Sequence, residues 1–162
     1  MPILAALALA LAPVAPAADP PGFRIAAPAE LISMFKTICM AHAGDPAGQL
    51  AVAQAAPFNF KRDESSAGNT YRAEPFQLNL DNDAKGQPAC AVTTALALDT
   101  DFAALSAKVG GDLSLGTPRK IADDTDDIVG WSIAADGRIL LLVSLRQRYK
   151  IGTLGLFATP KP

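Results

Sequence analysis

The chain announces its first element through spacing. Leu31, Met34, Phe35, Ile38 and Cys39 recur at i, i+3, i+4, i+7 and i+8, the stripe of a helix that buries one face. Pro28 stands where a helix can start, because a first-turn proline gives up an amide hydrogen that has no partner there. Gly44 suits the left-handed residue that ends a helix, and Asp45-Pro46 reads as an N-cap followed by a first-turn proline. A second helix should therefore run to about Ala56, giving a helical hairpin. From Phe58 the period changes. Phe76, Leu78 and Leu80 alternate with polar neighbours, as do Cys90, Val92, Thr94, Leu96 and Leu98, which predicts two adjacent strands. Asp99 to Val109 returns to helical spacing through Phe102, Leu105 and Val109, with Gly110-Gly111 as the stop. Three further strands follow over 128–134, 139–149 and 151–159, the first two joined at Asp136-Gly137, a strong hairpin signal. The sum is an α+β fold, with an N-terminal helical hairpin plus one further helix packed on an antiparallel sheet of about five strands.

The start of the chain obeys a different pattern. Ile3 to Val14 is almost wholly Ala and Leu and leads into Ala15-Pro-Ala-Ala18, which reads as a secretory signal peptide over residues 1–17, cleaved near Ala17. The apolar run is short of the roughly 20 residues a membrane-spanning helix needs. The Met1-Pro2 start lacks the usual basic residue, so the true start is expected slightly upstream. Residues 18–162 should form one globular domain with loose ends at Asp19-Pro-Pro-Gly22 and Thr159-Pro-Lys-Pro162.

Composition narrows the partners. Fourteen basic residues against sixteen acidic ones leave a formal charge of -2, which points away from nucleic acid. Two cysteines, Cys39 and Cys90, permit a single intramolecular pair. In the oxidising compartment implied by export, a disulfide between the first helix and a central strand is the expected state.

Several motifs invite a chemical reading. Cys39, Met40 and His42 cluster in Thr37-Ile-Cys-Met-Ala-His42, and Cys39 and His42 share a helix face, as ligands of a soft metal would. The set lacks a fourth ligand and a disulfide would consume the thiolate, so Cys39 is read as a bridge and His42 as a partner of the negative helix end; no metal or cofactor is expected. Ser33-Met-Phe-Lys36 has the S-x-x-K spacing of exported acyl-enzymes, without the companion motifs that chemistry requires. Asp81-Asn-Asp-Ala-Lys-Gly86 begins like a calcium loop, but Lys85 occupies a ligand position and Val92 stands where a bidentate Glu is needed. Asp123-Asp-Thr-Asp-Asp127 reads as a solvated acidic loop. Nucleophilic, zinc and phosphate-loop signatures are missing, which leaves paired carboxylates, from Glu30, Glu64, Glu74 and the aspartates, as the enzymatic alternative: a small exported hydrolase.

Charge is uneven only near the end. Arg138, Arg146, Arg148 and Lys150 follow one another with no acidic residue from Gly137 to the terminus. On a strand, positions 146, 148 and 150 share one face, forming a strip suited to an anionic ligand or envelope partner. The competing explanation is that cations on an edge strand deter strand-to-strand aggregation. Trp131, the single tryptophan, is assigned to core packing.

The layout, an exported chain with one cysteine in the first helix, another in a central strand and a late Trp-containing hairpin, resembles small exported envelope proteins of Gram-negative bacteria. The resemblance implies a periplasmic address and no particular activity. The expected function is that of a soluble periplasmic binding or interaction module without a membrane span.

Overall fold

The computed structural model describes residues 24–82, 86, 88–121, 127–134, 139–148 and 150–160. The helical hairpin forms as its spacing dictates. Helix α1 (Pro28–Phe35) continues into a wider π-helical turn, Lys36–Met40. Its closing bond runs from the Ala41 N–H to the Lys36 carbonyl at 3.1 Å. Leu31, Ile32, Phe35, Ile38 and Cys39 are buried. Ile32 is more buried than Met34, so the apolar surface of α1, which touches α3 as well as the sheet, is broader than the single stripe. Gly44 adopts φ +78°, the left-handed conformation that glycine takes without a Cβ penalty. Asp45 then caps α2 (Pro46–Gln54) by accepting the Gly48 N–H at 3.0 Å. Buried Gln49 reaches back from α2 and donates to the Cys39 carbonyl at 3.3 Å. That bond satisfies an acceptor at the end of the preceding helix and ties the two helices together.

The sheet corrects the expected strand count: eight strands, not about five. They are β1 (Lys61–Arg62), β2 (Thr70–Ala73), β3 (Phe76–Asn82), β4 (Pro88–Ala95), β5 (Arg119–Ile121), β6 (Asp127–Ala134), β7 (Ile139–Arg148) and β8 (Ile151–Pro160). Every neighbouring pair is antiparallel, in the order β1-β2-β3-β4-β8-β7-β6-β5. Exchanging β1–β4 for β5–β8 leaves this order unchanged, and each four-strand meander follows a helical segment. The three additional strands have two to four residues apiece and carry polar or charged side chains, so they present no run long enough to register a period of two.

Helix α3 (Phe102–Asp112) begins three residues later than expected and ends beyond Gly110-Gly111. Asp101 caps it by accepting the Ala104 N–H at 2.7 Å. The Leu113 N–H still bonds the Val109 carbonyl, and the chain turns only at Ser114, φ +54°. Backbone hydrogen bonding thus carries the helix through two residues of poor helix propensity.

One apolar core unites these elements. Leu78, Val92, Val143, Leu145, Leu154 and Leu156 point from the sheet toward Leu31, Phe35 and Ile38 of the hairpin and Val109 of α3. Trp131 lies in this core, and its indole N–H donates to the Gly116 carbonyl at 3.2 Å. The Cys39–Cys90 disulfide joins the π turn to β4, fourth of eight strands, with Cα atoms 5.6 Å apart. The hairpin is therefore pinned near the middle of the sheet. No helix among the described residues is long and apolar enough to cross a membrane.

Candidate functional site

With the helices on one face of the sheet, the alternate strand positions look outward, where none of the described helices packs. Val129 and Trp131 point inward from β6, so Ile128, Gly130 and Ser132 point out. By the same alternation and the ladder partners, Arg119 and Ile121 of β5, Leu142, Ser144, Arg146 and Arg148 of β7, and Ile151, Thr153, Gly155 and Phe157 of β8 also face outward. Among the described residues, this half of the outward face carries three arginines and no acidic residue. Arg119, Arg146 and Arg148 are exposed. Arg146 and Arg148 each also make a contact within the chain.

The expected basic strip is partly assembled here. Arg146 and Arg148 share the outward face, while Leu145 and Gln147 are buried on the inner one. Lys150 leaves the strip. It occupies the β7–β8 turn with φ +64°, and its ammonium donates to the Thr100 carbonyl at 2.9 Å, beside the bond from inward-facing Gln147 to the same oxygen. Arg138 lies outside the described residues. Arg119, absent from the expected set, arrives through the β5–β6 ladder, where it pairs with Gly130.

The edge-strand explanation for Arg146 and Arg148 does not survive this topology. β7 is an interior strand, hydrogen-bonded to β6 on one side and β8 on the other. The true edges are β1 and β5, each very short and each cationic, with Lys61-Arg62 and Arg119-Lys120. Brevity and positive charge are what deter an edge from pairing with another chain. Cations at 146 and 148 serve no such need.

Beside Arg119 the outward face is recessed. A depression of 260 Å³ is walled by Ile121, Leu142 and Phe157, with Arg119 at its rim. Gly130 is one of its lining residues, and Gly155 lies beside Phe157 on the same face. A Cβ at Gly155 would come within 3.0 Å of the Ser144 hydroxyl and 3.2 Å of the Phe157 ring, whereas one at Gly130 would meet Ile121 at an ordinary 3.4 Å.

Two larger grooves lie elsewhere. One of 610 Å³ runs between α3 and strands β5 and β6, with Phe102 and Val129 among its walls and Lys120 and Asp127 of opposite charge in its lining. The other, of 450 Å³, brings Glu30, Ser33 and Glu74 together beside α1. Two of the three glutamates considered for hydrolysis thus share a groove, while Glu64 is exposed in the β1–β2 connection. Glu30 is already committed: its carboxylate accepts the Ala27 N–H at 2.8 Å and the Arg24 guanidinium at 2.8 Å. The backbone hydrogen bond, then Arg24, holds its carboxyl below the ordinary value. An acid catalyst needs a shift in the opposite direction.

The remaining sequence candidates resolve into structure. Cys39 is consumed by the disulfide, and the His42 carbonyl accepts the Asp45 N–H in the turn between helices. Ser33 lines the Glu30 groove and Lys36 opens the exposed side of the π turn. Asp81 accepts the Asn69 N–H and side-chain amide across the β2–β3 pair, and residues 83–85 of the calcium-like run lie outside the described set. Asp123, Asp124 and Asp126 lie outside it too. Among the described residues no three His, Cys, Asp or Glu side chains converge as metal ligands. Asp63, which sequence reasoning passed over, is the most heavily bonded carboxylate among the described residues: Ser65 and Ser66 hydroxyls donate to it at 2.6 and 2.7 Å, and Arg72 pairs with it. Those bonds hold its carboxyl far below the ordinary value and close the β1–β2 hairpin, a structural role.

No family model matches the chain, and no curated protein matches it. The fold defines a disulfide-linked α+β protein with helices on one face of an eight-stranded antiparallel sheet.

Proposed function

We propose that the protein is an exported binding module that takes an anionic partner on the outward face of strands β5–β8, with Arg146 and Arg148 as the principal contacts and Arg119 beside them. The signal-like N-terminus and the disulfide support an oxidising address, periplasmic or secreted. The observation that carries the reading is the set of three arginines that β5 and β7 place on one face, with Arg119 lining an apolar depression, where the described outward strand positions of β5–β8 hold no acid. Arginine suits this role because its planar fork engages carboxylates and phosphates bidentately and sheds water more readily than an ammonium. The strands supply a rigid mount, since β7 is bonded along both sides. A small hydrolase using Glu30 and Glu74 is the second reading, favoured by their shared groove and opposed by the depressed Glu30 carboxyl.

Chromatography on immobilised heparin tests the first reading. Wild type should be retained at low salt and released as salt screens the charges. The Arg146→Ala, Arg148→Ala double variant should pass through unretained with its Trp131 emission unchanged, because both side chains point away from the core. Equal retention of the two proteins would place the partner surface elsewhere.

A further inference from the structure

We propose that the depression beside Arg119 is the pocket for one large apolar side chain, leucine or phenylalanine, carried by an acidic segment of a partner protein. The inference rests on the outward face of β5–β8 being the binding surface and specifies what binds there. Size is the first argument. At 260 Å³ the depression is smaller than the roughly 300–1,000 Å³ of small-molecule sites, yet ample for a single side chain. Its walls are apolar, from Ile121, Leu142 and Phe157, and its base is left open at Gly130.

The surroundings supply the second argument. Protein interfaces concentrate affinity in an anchor side chain held in a desolvated pocket, with arginine enriched around it. Here Arg119 stands at the rim, and Arg146 is the ladder partner of Ile128 on the strand that carries Gly130. An acidic segment would meet these cations while its apolar side chain left water.

A lipid surface fits less well. Insertion into a bilayer interface calls for apolar side chains that project beyond the polar ones. Leu142 and Phe157 are half-buried beside exposed arginines, and the two exposed apolar side chains of this face, Ile121 and Ile151, stand apart on β5 and β8.

The test is selection of random short peptides displayed on phage against the full-length, oxidised protein. Enriched sequences should combine Asp or Glu with one Leu or Phe. A synthetic peptide of the enriched sequence should lose at least about tenfold in affinity when that residue becomes alanine. It should lose as much against Gly130→Val, which fills the depression at a position whose Cβ meets only ordinary contacts. The two losses should not add, because both remove the same contact. Preservation of the fold is read from an unchanged far-ultraviolet circular dichroism spectrum and thermal midpoint.

No acidic-apolar consensus, or undiminished binding to Gly130→Val, would overturn the proposal. So would binding to phosphatidylglycerol vesicles in place of peptides. Should the Arg146→Ala, Arg148→Ala variant lose the peptide while Gly130→Val keeps it, the anionic-partner reading stands and the pocket assignment falls. If the arginine variant keeps the peptide, both fall.

Discussion

Replacing Cys39 and Cys90 together with alanine is expected to cost about 4 kcal/mol of stability, because their bond closes a loop across a sequence separation of 51 residues. That loss is comparable to a large fraction of the net stability of a single domain. It should lower the thermal midpoint by roughly 10–20 °C. Alanine is the right replacement, since both sulfurs are buried among apolar groups and a serine hydroxyl there would be left without a hydrogen-bond partner. The accompanying chemical check uses the single variant Cys39→Ala: Cys90 should then alkylate after denaturation without reductant, whereas wild type should not. A wild-type protein that alkylates fully under the same conditions would remove the bridge from the account.

Phe35→Ala should cost about 3–5 kcal/mol. Phe35 is fully buried, in the last turn of α1 before the π segment, and α1 packs on both β4 and β8, the strands where the two meanders meet. Truncation would open a cavity at the seam of the molecule, and the disulfide just beyond it limits how far the helix can settle into the gap. Phe35→Leu, which keeps most of the volume, should cost much less. Denaturant unfolding followed by Trp131 emission measures both, since Trp131 belongs to the same core. Equal stability of Phe35→Ala and wild type would mean that α1 does not cover the sheet as described.

How much of this could be read from the residues depended on length and local chemistry. The α1 stripe, the Gly44 cap, the Asp45-Pro46 start of α2 and the alternation of β3 and β4 were legible because each is encoded within a few neighbouring positions. Strands β1, β2 and β5 were not. They are short and partly charged, and they exist because a neighbouring strand offers backbone partners, which no local pattern reports. The third helix was placed with its end too early because glycine weakens a helix without forbidding one.

The site was legible by halves for the same reason. Alternation put Arg146 and Arg148 on one face, and the structure keeps them there. It could not reveal that β7 lies inside the sheet, so cations there resembled those of an edge strand. It also carried the alternation one step too far, to Lys150, where the chain turns. Arg119 sits 27 residues before Arg146, and only the β5–β6–β7 ladder brings it to that face. The signal that could have found it is the Pro118-Arg-Lys-Ile121 run, an arginine and an isoleucine at alternate positions just ahead of a strand.

The central claim is that the outward face of β5–β8 receives an anionic partner. It is tested most directly by mapping backbone amide shifts of the isotopically labelled protein during titration with poly-glutamate at low salt. The account predicts shifts concentrated at Arg119, Gly130, Ser144, Arg146 and Arg148, fading as salt is added. Shifts gathered instead along α3 and the groove beside it, or around Glu30 and Glu74, would contradict it.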